Sequence, residues 1–271
     1  MSQIMTEAVT AKHESPNWPF RWSVVLALIT FPLIWVGGLV TTTDAGMAVP
    51  DWPNTYGYNL FLYPYTTWLL GPWDIFIEHG HRLLGSLAGI VAIVLVVSTF
   101  RNTADRNLRL LSIGALVLVI AQGLLGGLRV LAIDRFLAQV HGCVGPLFFA
   151  YTGAFATLSF RSQVAPVSDP TQENSAQRNS FFSTMLLLLL FCTFLQLLLG
   201  ANLRHIEESA SFLFFRWLIG GHLIFAGAVA VLSIVILISE IRSQRQTQNI
   251  RRWTRIIFAF VSIQVLLGLL T

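Results

Sequence analysis

Three histidines stand at the openings of apolar stretches: His81 in Glu78-His79-Gly80-His81-Arg82, His141 in Gln139-Val140-His141-Gly142, and His222 in Gly220-Gly221-His222. Each falls near the same end of its stretch, which sets all three at similar depth. Two imidazoles on neighbouring helices at one depth can ligate an iron porphyrin from opposite faces. A single such histidine serves equally well as a hydrogen-bonding group between helices. Three at repeating positions favour ligation, with His81, His141 and His222 as the iron ligands. Small residues accompany them: Gly85, Ala88 and Gly89 after His81, Gly142 and Gly145 after His141, and Gly220, Gly221 and Gly227 around His222. They would let a flat macrocycle approach the backbone, although the same residues also serve plain helix packing.

Glu78 adds a different chemistry. It precedes His81 by three residues, so the two share a helical face. Such a carboxylate can be a solvated acid favoured by a helix N-terminus. It can also be a general base, or stabilise a cation beside a cofactor. Arg82, Arg129, Arg204 and Arg216 cluster toward the histidine ends of the stretches, where guanidinium forks suit the carboxylates of a porphyrin. His13 lies in a polar tail, and His205 in a loop after Arg204; neither enters this set.

The elements that must position these groups are membrane spans. Hydrophobic residues make up 55% of the 271 and charged residues 11%, with a mean hydropathy of +0.68; a soluble domain is typically about one-quarter charged. The net charge of +4 sits in short clusters between apolar runs, without an aromatic-interleaved basic face, which argues against nucleic acid as a partner. Seven stretches are long enough to span, near 22–40, 80–100, 109–131, 138–159, 181–201, 217–239 and 253–271; about 20 residues suffice. Of the 17 Lys and Arg residues, twelve fall on the side of the N-terminus and five on the other, which predicts a cytoplasmic N-terminus. The intervening segment 41–77 contains no Lys or Arg but has Asp44, Asp51 and Asp74.

The chain also repeats itself. Gln122-Gly-Leu-Leu-Gly126, Gln196-Leu-Leu-Leu-Gly200 and Gln264-Val-Leu-Leu-Gly268 each close an apolar stretch, and His141 and His222 follow the first two. This predicts internal duplication, with its boundary in the Pro-, Ser-, Asn- and Gln-rich stretch 161–180, which reads as a cytoplasmic linker. The expected division is a polar tail over 1–21, a four-helix haem bundle over 22–160, that linker, and a three-helix half over 181–271. Cys143 and Cys192 fall inside spans and read as small packing residues. No signal or Arg-rich transit peptide is evident, which favours a bacterial cell membrane over an organellar one.

These residues together resemble the haem A synthase family of cytochrome oxidase assembly. The resemblance rests on Gly37-Gly38-Leu-Val-Thr-Thr-Thr-Asp-Ala-Gly46, on Glu78-x-x-His81-Arg82, and on Gln122-Gly-Leu-Leu-Gly-Gly-Leu-Arg-Val-Leu131 followed by Gln139-Val-His141. Leu199-Gly-Ala-Asn-Leu-Arg-His205 and His222 complete it, so that it runs from about residue 22 to the end. It implies two pseudo-twofold-related four-helix bundles in an all-α integral membrane fold, each with a haem site. His81 and His141 match the N-terminal pair, His222 the first histidine of the C-terminal pair, and Glu78 the proposed catalytic carboxylate. The implied reaction oxidises a ring methyl of haem O to a formyl group through hydroxylated intermediates, with haem b as cofactor and Glu78 assisting attack by water. Two departures stand out. The segment 41–77 lacks the cysteine pair that some members carry, and an eighth span with its histidine is missing, so the second bundle is expected to be incomplete.

The main alternative is a diheme b-type electron carrier, which would use the same histidines without needing Glu78. A transporter or assembly scaffold would use them only as hydrogen-bonding groups. Expected partners are the bilayer, haem O, haem O synthase and other oxidase assembly factors; a homo-oligomer is compatible with the sequence.

Overall fold

The computed structural model describes residues 17–162, 176–206, 209–242 and 248–270. His13 and the rest of the tail before residue 17, the linker over 163–175, and Arg245 lie outside these residues, as does the side chain of Arg178. The fold is all-α: α1 (Trp18–Thr42), the short α2 (Tyr65–Leu69), α3 (Trp73–Asn102), α4 (Arg106–Leu131), α5 (Arg135–Arg161), α6 (Ala176–Arg204), α7 (Phe212–Arg242) and α8 (Gln248–Leu270). All but α2 are long and apolar enough to cross a membrane, and the protein is a multi-pass integral membrane protein. At about 1.5 Å per residue, even the 23 residues of α8 outreach a hydrocarbon core of about 30 Å.

Each span predicted from the sequence is present, and most are longer at both ends. The extensions carry polar starts and stops that an apolar window does not register. Asn17 caps α1, its side chain accepting from Phe20 N at 3.0 Å, with a proline in the first turn. α3 begins right after Pro72 with Asp74 in its first turn and ends with Arg101 in its last, as the helix dipole favours. α6 begins at Ala176, inside the stretch read as linker.

The chain forms two compact units, residues 1–131 with 145–165, and residues 132–144 with 166–271. In the first, α1 packs on α3 and α3 on α4. Their core is Leu26, Ala88, Val91, Ala92, Leu95, Leu108 and Ala115, closed by Phe148 and Phe155 from α5. Ala88 and Ala92 supply the small surface that close helix packing in lipid requires. Asn17 Nδ2 donates to Ser159 O at 2.9 Å, and Tyr151 Oη to Leu111 O at 2.7 Å, tying α5 to the starts of α1 and α4. In the second unit α6 packs on α7 and α7 on α8. There the buried Glu240 meets Arg251 at 3.5 Å and Arg255 at 3.9 Å. Both cysteines are free, and Cys143 is buried.

Candidate functional site

Glu78 occupies the second turn of α3, where it is buried with 1% of its surface exposed. Two donors hold its carboxylate. Arg82 Nη2, one turn on, donates to Oε1 at 2.7 Å, and the backbone N–H of Val49 donates to Oε2 at 2.8 Å. Arg82 also donates to the carbonyls of Val49 at 2.7 Å, Asp51 at 2.6 Å and Asn54 at 2.9 Å. All four N–H groups at the ends of its guanidinium are therefore engaged. The spacing of residues 78 and 82 brings the pair together on one face. The loop then folds over them and leaves little water to compete, so the bonds gain strength in a low local dielectric.

That loop is built, not slack. Tyr56 and Gly57 both have positive φ, at 49° and 79°. Paired bonds between Thr55 and Tyr58, each 3.0 Å, close the turn around them, as in hairpin turns of the primed type. The Asp51 carboxylate accepts from Tyr56 N and Gly57 N, both at 2.8 Å. Burial pulls the Asp51 pKa upward, but those two N–H donors and the Arg82 charge outweigh it, and the group titrates below the usual aspartate value. Burial and nearby acidic groups push the Tyr56 phenol upward, and its hydroxyl donates to Ala48 O. Trp52 lies directly on Gly127 of α4, where any side chain would collide with its indole. Arg129, in the last turn of α4, presses its guanidinium on the backbone at Gly46; a Cβ there would stand 2.7 Å from Nη1.

His81 lies on the flank of α3 that meets α1. A Cβ at Gly37 would approach its Cε1 to 2.9 Å, so glycine is what admits the ring. The second unit repeats this device: a Cβ at Gly200 of α6 would stand 3.1 Å from Cε1 of His222 on α7. The duplicated pairing is thus α1 with α3 and α6 with α7, which aligns Gly200 with Gly37 and Gln196 with Leu33. Gln196 Nε2 lies 3.1 Å from His222 Nε2, while His222 Nδ1 is buried without a hydrogen-bond partner among the described residues. His141 falls on the early turns of α5, within 132–144, the part of that helix that belongs to the second unit. Arg204 ends α6 and is exposed.

Two features fit a porphyrin, one a ligating group and the other room beside it. Among the described residues His222 has a buried ring nitrogen with no hydrogen-bond partner, and the glycines beside the histidines border space: none of those residues lies within 4 Å of where side chains at Gly85, Gly89, Gly220 or Gly227 would begin. No group of three or more His, Cys, Asp or Glu that could hold a bare metal ion occurs among the described residues.

The decisive comparison is with protein families. Residues 73–218, more than half of the chain, match the family described as cytochrome oxidase assembly protein, COX15-CtaA. The chain belongs to this family. As a COX15-CtaA protein it is similar to several curated relatives named heme A synthase. That of Lysinibacillus sphaericus (strain C3-41) is 33% identical over 138 residues, covering 49% of this chain and 43% of the relative, less than half its length. That of Shouchella clausii (strain KSM-K16) is 23% identical over 262 residues, 91% of this chain and 82% of the relative. That of Mesorhizobium japonicum (strain LMG 29417 / CECT 9101 / MAFF 303099) is 26% identical over 215 residues, 70% of this chain and 58% of the relative. A role in cytochrome oxidase assembly follows.

The sequence reading passed over two buried groups. His79 is 1% exposed, with Nδ1 at 3.1 Å from Thr55 Oγ1 and its ring against Tyr63 and Trp68. It lies two residues from His81, hence on a different face of α3. Glu240 is the other. Its sequence signal was an acid near the end of one apolar run with arginines at the start of the next.

Proposed function

We propose that this COX15-CtaA protein is a haem A synthase, which oxidises a ring methyl of haem O to a formyl group through hydroxylated intermediates, with haem b as resident cofactor. The observation that carries the reading is Glu78, a buried carboxylate oriented by Arg82 and by the Val49 N–H, one helical turn from His81. An electron carrier needs axial histidines but has no use for a buried acid held at that point.

In this reading His81, His141 and His222 would hold the haem iron. Haem b supplies iron-centred redox chemistry when bound. Glu78 keeps one lone pair on each oxygen beyond its two donors. From there it would accept a proton from the water that adds to the methyl carbon once an external electron acceptor has taken two electrons from it. The loop over 48–58 excludes bulk water, and Arg82 fixes the direction of the Glu78 lone pairs. Arg129 and Arg204 are offered to the carboxylates of the porphyrins. Arg82 reaches such a carboxylate only by releasing a loop carbonyl, and acts chiefly through Glu78. The distribution of Lys and Arg supports a cytoplasmic N-terminus and a site at the outer face of a bacterial membrane, where haem O synthase would hand over the substrate.

The test is extraction of haems from membranes that co-express the chain with a haem O source. Haem A or its hydroxylated precursor, identified by mass and absent without the chain, is the expected result. Unmodified haem O at normal protein levels overturns the proposal in favour of the electron carrier.

A further inference from the structure

We propose that the segment 58–73 lies in the lipid interface, as a paddle seated in the leaflet on the side where α1 ends and α3 begins. α1 closes at Thr42 and α3 opens at Trp73, and both are membrane spans, so the connection starts and finishes at one membrane face. Its two parts differ. Residues 48–57 are tied down by polar bonds to Arg82, Glu78 and Asp51. Residues 58–73 instead present Phe61, Leu62, Tyr65, Leu69, Leu70 and Trp73 outward, from 51% exposed at Leu69 to 78% at Leu70. Exposed apolar surface of that extent on a soluble loop marks an interaction site.

Three observations commit the occupant to lipid. The segment 41–77 has no Lys or Arg, while its Trp and Tyr residues are those that settle at the headgroup level. The segment is also rigidly joined to α3 by a ladder of rings. Tyr58 stands on Tyr63 at 5.6 Å, Tyr63 on His79 at 5.2 Å, Trp68 on His79 at 5.0 Å, and Trp68 on Phe76 at 6.0 Å. His79 is the hub, which gives this buried histidine a task apart from ligation. Finally, the paddle's surface continues into the membrane face of α3. Trp68 and Phe76 line one groove of about 340 Å³ with Gly80, Leu84 and Leu87, closed on the far side by Val36 of α1. Apolar cover that is lipid along α3 runs without a break onto the paddle. The seat fixes the depth of the Glu78 turn beneath the headgroups, within reach of an amphiphile arriving from the bilayer.

The full chain in single-copy phosphatidylcholine nanodiscs tests this, in a Cys143→Ala/Cys192→Ala background. An environment-sensitive fluorophore is placed on Leu62→Cys, on Leu70→Cys and, as the water-facing control, on Asn54→Cys. At Leu62 and Leu70 the emission is expected to be blue-shifted, quenched by a nitroxide high on the lipid chain, and several-fold less sensitive to aqueous iodide than at Asn54. Iodide quenching equal at all three positions overturns the proposal. So does protection that appears only when discs hold two copies, which would make the cover a second chain. A label-free readout stands beside it: Trp73→Phe is expected to remove part of the lipid-nitroxide quenching of intrinsic fluorescence, and no change contradicts an interfacial Trp73.

Discussion

Arg82 Nη2 donates to Glu78 Oε1 at 2.7 Å across one turn of α3, and the same guanidinium holds three carbonyls of the loop above it. The pair therefore couples the orientation of the acid to the closure of the loop. Lysine has the charge but not the fork that reaches four acceptors. A charge-assisted hydrogen bond contributes about 1.5–3 kcal/mol. Arg82→Lys is thus expected to lower haem A formation roughly 10- to 100-fold while protein level in the membrane is kept. Arg82→Ala, which strands a buried carboxylate, is expected to cost about 3–5 kcal/mol of stability as well. Activity equal to wild type in Arg82→Lys would detach the guanidinium from the chemistry.

Gly37 and Gly38 are neighbours with opposite surroundings. A Cβ at Gly37 meets His81 Cε1 at 2.9 Å, and one at Gly38 meets nothing within 4 Å. Alanine is a better helix former than glycine by about 0.5–1 kcal/mol, so Gly38→Ala is expected to be neutral or slightly stabilising. Gly37→Ala must push the imidazole, and it is expected to change the Soret band and the electron-paramagnetic signature of a haem held by His81. Gly200→Ala is the counterpart for His222. Identical spectra for Gly37→Ala and Gly38→Ala would mean that His81 is not a ligand.

Asp51 makes the loop sensitive to acid. Its pKa is lowered in the folded protein, so its contribution is complete above the ordinary aspartate value of about 3.9. That contribution is lost as pH falls through the lower folded value. Limited proteolysis of the loop in detergent is expected to accelerate below about pH 4 in the wild type. Asp51→Asn should be more easily cut at neutral pH and lack that acid limb.

Glu240 behaves asymmetrically with its partners. It is 1% exposed, whereas the side chains of Arg251 and Arg255 are 39% and 66% exposed. Replacing the acid by glutamine leaves cations that water can solvate, at a cost of about 1 kcal/mol. Replacing both arginines by alanine leaves a buried charge and is expected to cost about 3 kcal/mol. Unfolding titrations in denaturing detergent measure both, and the reverse order would remove the clamp between α7 and α8.

The spans were legible because an apolar run of about 20 residues has few other uses. Their ends were not, since Pro72 bounds α3 and Asp74 and Arg101 lie inside it for reasons of capping and dipole that hydropathy does not carry. The four-residue spacing of Glu78 and Arg82 permits their pairing, but sequence alone set Glu78 beside His81 and offered Arg82 to a porphyrin carboxylate. The loop carbonyls that occupy Arg82 come from residues 28 to 33 positions away, a distance across which spacing has no meaning. The repeat was visible as the phrase Gln-x-Leu-Leu-Gly, yet the geometric counterpart of Gly200 is Gly37, whose surroundings share little of that phrase. His79 was hidden by its neighbour, because only the folded loop sets Thr55, Tyr63 and Trp68 around it.

The central claim is that Glu78 acts on the porphyrin substrate. It is tested most directly by comparing haems extracted from membranes carrying wild type, Glu78→Asp and Glu78→Gln beside the same haem O source, with equal chain levels and matched haem b spectra. Haem A in the wild type, a reduced amount in Glu78→Asp, and only haem O or a stalled hydroxylated product in Glu78→Gln is the predicted result. Undiminished haem A from Glu78→Gln would contradict the account and leave Glu78 as a latch for the loop.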